Sequence, residues 1–266
     1  GVQAWSRQTV TYDARGVLDK RVYLNDDGTR QVIDYDQVPA AHNWKQITQT
    51  FDALNRLEST ETIFDDGTRE VVSDDVAGTQ SWSRQTLSYD ANGALDLRTY
   101  LYDDGSRQVI DFDQNPAEHL WQMVSTTYSA ANEVMSVKTT LDDGTRSTIT
   151  YDHDNSQAWS RITTVLDAAG NADTKETEND NGTRLVVDYD QVQTDHAWSQ
   201  MTVMYDDHGR EDYRDYRMDD GSRIMIDYDQ AGVAAWTSWE RDYLTSSTTT
   251  LYRQVITYDN GTTVTL

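Results

Sequence analysis

The chain has no cysteine, only two prolines and three phenylalanines in 266 residues, and 22 basic side chains against 46 acidic ones. Each shortage excludes something. Without cysteine there is no disulfide, no thiolate nucleophile and no cysteine-ligated metal, so bridges give no indication of redox compartment. A formal charge of −24 sets up a field that repels nucleic acid and anionic lipid alike, which argues against DNA or RNA partners. No run of about 18 apolar residues is present, so no membrane insertion through a helix is expected. Residues 1–30 lack the charged and apolar regions of a signal peptide. Any export signal is therefore expected outside this segment, and the opening GVQAW, already inside the pattern described next, suggests an excerpt of a longer polypeptide. Only 36% of residues are hydrophobic. Tyr, Trp and Thr supply most of the strand-forming bulk, a mixture suited to sheets that are wet on at least one face.

What is present is repetition. Tryptophans at Trp5, Trp44, Trp82, Trp121, Trp159, Trp198 and Trp236 recur at alternating intervals of 39 and 38 residues. Glycines at Gly28, Gly67, Gly105, Gly144, Gly182, Gly221 and Gly261 keep the same rhythm until the last copy, which carries two extra residues. The chain is one array of seven repeats, about 1–39, 40–77, 78–116, 117–154, 155–193, 194–231 and 232–266. Because the intervals alternate, the true period is 77 residues: AWSRQTVTYDARG returns as SWSRQTLSYDANG and, more loosely, as AWSRITTVLDAAG. Odd repeats end in longer loops (DQVPAAHNW), even ones in shorter loops (DHDNSQAW).

Each repeat reads as three strands, illustrated by Ser6–Tyr12, Leu18–Leu24 and Arg30–Asp36 in the first. Asp-Gly between alternating residues is a strong hairpin signal, and a type I′ turn is expected there. Three is odd, so a meander that runs on through the joints enters each successive repeat upside down and regains its orientation after six strands. That is the 77-residue period. The expected fold is an all-β antiparallel meander adding strands to one extended or spiralling sheet, in the manner of repeat proteins. A seven-bladed propeller is the alternative.

The segments YDARGVL (12–18), YDANGAL (89–95) and YDDHGRE (205–211) resemble the YDxxGRL core of YD or RHS-type repeats, weakening to FDALNRL, YSAANEV and LDAAGNA in other copies. The resemblance implies a segment of a large secreted or cell-surface bacterial protein, with strands forming an extended β shell.

Four sets of residues are candidates for chemistry. The DDGTR-type turns carry Asp27, Asp66 and Asp104, hard oxygen donors that calcium favours, although the turn alone accounts for them. Arg30, Arg69, Arg107, Arg146, Arg184 and Arg223 follow those turns at a fixed offset. Arg30 shares a face with Val32, Asp34 and Asp36, so an Arg–Asp lattice is expected, with an anion or glycan row as the rival. His42, His119 and His196, 77 residues apart and each two before a Trp, either cap that Trp or form separate cation or proton-sensing sites. The seven Trp are core plugs at the joints or platforms for sugar rings. No GxSxG, HExxH or phosphate-cradling glycine loop occurs, and an enzyme is not expected. The function expected is a structural, self-assembling spacer, shell or filament component outside the cell, meeting neighbouring repeats or copies through open sheet edges. A multivalent glycan-binding module is the alternative.

Overall fold

The computed structural model describes residues 4–38, 41–192, 195–245 and 250–266. Among these the protein is all-β, with 21 strands, no helix, and antiparallel pairing throughout. The chain divides into two compact halves, Gly1–Val134 and Met135–Leu266. The first half holds β1 (Trp5–Tyr12), β2 (Leu18–Asn25), β3 (Arg30–Tyr35), β4 (Trp44–Phe51), β5 (Leu57–Phe64), β6 (Arg69–Asp74), β7 (Trp82–Tyr89), β8 (Leu95–Tyr102), β9 (Arg107–Phe112) and β10 (Trp121–Tyr128). With β11 (Val134–Leu141) begins the second, followed by β12 (Arg146–Tyr151), β13 (Trp159–Leu166), β14 (Ala172–Asn179), β15 (Arg184–Tyr189), β16 (Trp198–Tyr205), β17 (Glu211–Met218), β18 (Arg223–Tyr228), β19 (Trp236–Tyr243), β20 (Leu251–Tyr258) and β21 (Thr263–Thr265).

Within each half every strand pairs with the next in sequence. The pairing crosses the joints as readily as the hairpins: Arg30–Tyr35 faces Gln46–Phe51 over six residues, as Lys20–Leu24 faces Arg30–Asp34 inside the first repeat. This continuity separates the meander from a propeller, whose blades are not hydrogen-bonded to one another. The strand bounds expected from the sequence hold to within a residue.

The turns differ from expectation in type. Gly28 has φ +86°, but Asp27 is not among the positive-φ residues, which excludes a type I′ turn. Instead Gly28 N–H donates to the Asn25 carbonyl at 3.1 Å and Asn25 N–H to the Thr29 carbonyl at 2.9 Å. That is a type I turn closed by a left-handed glycine bulge. The Asp27 side chain explains the choice. Its Oδ1 accepts the backbone N–H of Thr29 at 2.9 Å and its hydroxyl at 2.7 Å, a local bond that holds the aspartate in the ordinary backbone region. The YDARG turn is built the same way, with Asp13 Oδ1 accepting from Arg15 and Val17 at 2.8 Å each and Gly16 left-handed.

The core is thin. Among the described residues only Val32, Val203 and Tyr243 are buried apolar side chains, and no side chain is fully enclosed. Stability must come mainly from the ladders, at about 1 kcal/mol net per hydrogen bond, and from cross-strand pairs at roughly 0.2–1 kcal/mol each.

Candidate functional site

The joints between repeats hold the residues the sequence singles out. Across each joint the arginine that opens a third strand lies opposite the residue that ends the next repeat's first strand: Arg30 opposite Phe51, Arg69 opposite Tyr89, Arg107 opposite Tyr128, Arg184 opposite Tyr205. Directly opposite residues share a face, and the guanidinium settles on the ring, 3.9, 3.9, 4.4 and 4.1 Å from its centroid in these four joints. At these four joints the expected Arg–Asp pairing does not form. The residue opposite is aromatic, and the guanidinium's remaining donors go to Asn55 and Asn132, both left-handed and standing where other repeats have glycine, or to Glu61. Arg146 faces Leu166 and has no ring; Arg223 faces Tyr243 but pairs with Asp215 at 2.7 Å. The turn glycine packs in the same joint: a side chain at Gly28 would sit 3.3 Å from the Ala53 Cβ, with the same neighbour for Gly67 (Ala91), Gly105 (Ala130) and Gly144 (Ala168).

The odd joints add a cavity. His42, His119 and His196 each stack on the following Trp44, Trp121 and Trp198, with centroids 5.0, 4.8 and 4.6 Å apart and planes within 21°. All seven periodic Trp are half-buried, and at these three the imidazole covers one ring face. Beneath lies a pocket of about 170 to 320 Å³ in each copy, lined in the first by Asp19, Asp34, Asp36, His42 and Trp44 and in the others by their 77-residue equivalents. Partial burial pushes the Asp111 carboxyl up, Asp96 and Asp113 add like charge, and His119 opposes them; Asp188 is raised in the same way by burial, with Asp173 and Asp190 against His196. The Oδ2 atoms of Asp36, Asp113 and Asp190 are buried and accept no hydrogen bond. Such a pocket favours positive charge.

The turn acids are engaged locally. Asp66 and Asp104 bond Thr68 and Ser106 as Asp27 bonds Thr29, and these contacts, the side-chain hydroxyl first, hold all three carboxyls below the usual range. Among the described residues, three ligating atoms come within 4.8 Å of one another only at Asp206, Asp207 and His208. There Asp206 Oδ1 already accepts from His208 and Arg210 N–H, and Oδ2 meets the Arg210 guanidinium. The residues missed by sequence reasoning are the aromatics. Each joint arginine precedes its opposite residue by 20 or 21 residues, a signal that becomes readable once the joint register is known.

No family model matches the chain, and no curated protein matches it. Among solved structures, apo AztD and AztD from Citrobacter koseri align over 96% of this chain and 84% of theirs at 10% identity and a TM-score of 0.17. A candidate exo-beta-1,3-galactanase from Bifidobacterium bifidum s17 aligns over 91% of this chain and 97% of its own, again at 10% identity and a TM-score of 0.17. Likeness at that level carries no argument about fold or function.

Proposed function

We propose that this chain is a non-catalytic structural and interaction array, a spacer, shell or filament component of a larger extracellular or cell-surface protein of the YD/RHS type. The observation that carries this is the joint. The same ladder, the same arginine opposite the end of the next strand and the same turn packing recur from repeat to repeat, so the conserved contacts lie between repeats. A row of joints built on one plan suits a part whose task is to continue. The acidic surface keeps such a segment soluble and discourages nonspecific association.

Stretching the full chain between its ends in an optical trap tests the proposal. A serial array should resist and then give way in steps of about 38 residues or multiples of it, about 13 nm per repeat at the extended length of a chain. Unfolding in one step at negligible force, or saturable binding of the full chain on a glycan array, would contradict it.

A further inference from the structure

The interior joints describe, several times over, what covers the outer edge of a first strand. In the joint between β3 and β4, Asp36 N–H donates to the Lys45 carbonyl at 3.1 Å. Backbone groups alternate sides along a strand, so Lys45, Ile47, Gln49 and Phe51 present theirs to the preceding repeat. The equivalent residues of β1 are Ser6, Gln8, Val10 and Tyr12. Asp13 N–H donates inward to Val17, which fixes the same alternation there. Among the described residues of the first half β1 pairs with β2 and with no other strand, which leaves those outward groups without a ladder partner there.

The side chains repeat the message. Tyr12 stands where Phe51, Tyr89, Tyr128 and Tyr205 each receive an arginine, yet it is 61% exposed while those four are half-buried. Ala14 stands where Ala53, Ala91, Ala130 and Ala168 receive a turn glycine. Arg7, Gln8 and Thr9 complete an exposed edge. Backbone, ring and alanine together form the receiving half of a joint.

We propose that the outer edge of β1 docks the third strand of another repeat of this pattern, an antiparallel strand that opens with arginine after an Asp-Gly turn. The arginine lies on Tyr12 and the turn glycine on Ala14. This rests on the interaction-array reading and names the partner strand it requires. Charge complements the choice, since a cation placed on an aromatic ring is attracted to its face. The chain's own last strand, β21, offers Thr263 where six other repeats offer arginine, which makes a second copy a poor occupant and supplies the test.

Sedimentation equilibrium of the full chain measures head-to-tail association. Thr263→Arg should tighten it about two- to fivefold, the range a cation on an exposed ring supplies. Adding Tyr12→Ala should remove the gain. Gln8→Pro, which deletes an outward N–H on an edge strand where proline is tolerated, should suppress association in both backgrounds while the melting temperature stays within a few degrees. Association that is unchanged by Thr263→Arg, or a gain that survives Tyr12→Ala, overturns the proposal. If the stepwise resistance to stretching persists in that case, only the partner assignment falls; if it is also missing, the array reading falls with it.

Discussion

The odd and even joints start from the same residue and finish differently. Asp36, Asp113 and Asp190 in odd joints, and Asp75, Asp152 and Asp229 in even ones, all donate their N–H across the joint at 3.0 or 3.1 Å. In the even joints the carboxylate then folds over a short loop, and Oδ2 accepts the amide five residues on, from Gln80, Gln157 and Ala234 at 2.7 to 2.8 Å. In the odd joints the loop to the next Trp is one residue longer. Oδ1 takes the amide two residues on at 2.8 to 3.0 Å, and Oδ2 is left buried without a partner. One added residue converts a self-satisfied turn into a pocket roofed by histidine on tryptophan. The 77-residue period thus carries a chemical alternation as well as the up-and-down alternation of a three-stranded repeat.

Removing the tryptophan should have the largest effect and should separate the two classes. Trp121→Ala is expected to cost about 2 kcal/mol from lost burial and, beyond that, the stacking of His119, about 0.5–1.5 kcal/mol. Trp159→Ala at an even joint should cost the first part alone. Urea unfolding of the two variants reads the difference, and equal losses would break the comparison.

The aspartates should diverge in sign. Asp75→Ala removes an accepted hydrogen bond and is expected to destabilise by about 1 kcal/mol. Asp113→Asn replaces a buried, unpartnered carboxylate oxygen by an uncharged group and should leave stability unchanged or raise it slightly at neutral pH. Thermal melts of both variants check this.

Acidification should also act in two directions. Asp111 and Asp188 are raised by burial and like charge, so their contribution is complete below the ordinary carboxylate pKa of about 3.8 and is lost as pH rises through their raised values. Lowering pH from neutral toward that range should therefore stabilise the odd joints. Turn acids such as Asp13, Asp27, Asp66, Asp90 and Asp104 are lowered, chiefly by hydrogen bonds within their own turns, and their contribution is present above about 3.8 and lost as pH falls below it. Melting temperature against pH should rise slightly and then fall. Combining Asp111→Asn with Asp188→Asn should erase the rise alone.

The smallest effect belongs to Asp27→Asn. The chain already holds that substitution in two other repeats, where Asn181 and Asn260 accept from Thr183 and Thr262 as Asp27 does from Thr29. No measurable change in melting temperature is expected at neutral pH.

The strand plan was legible because its signals are local or periodic. Trp at each first-strand start, Gly at each turn and residues alternating between them place Trp5–Tyr12 or Arg30–Tyr35 without tertiary information. The turn type was not legible, since Asp-Gly fits two geometries and the Asp27–Thr29 bonds decide between them. The arginine sites needed the joint register, which sets Arg30 against Phe51 rather than against its own strand's Asp34 or Asp36. The stacking of His42, His119 and His196 on tryptophan was foreseeable from their spacing. The unpartnered Asp36, Asp113 and Asp190 oxygens were not, because the loop's path determines which amide a carboxylate meets.

Amide hydrogen exchange tests the continuous meander most directly. Ile47 and Gln49 point their N–H groups across a joint, and Gln8 and Val10 are their counterparts on the free edge of β1. The account predicts that Ile47 and Gln49 exchange as slowly as amides inside the hairpins, while Gln8 and Val10 exchange orders of magnitude faster. Exchange of Ile47 and Gln49 at the rate of Gln8 and Val10 would mean that the ladder stops at the joint, and would contradict it.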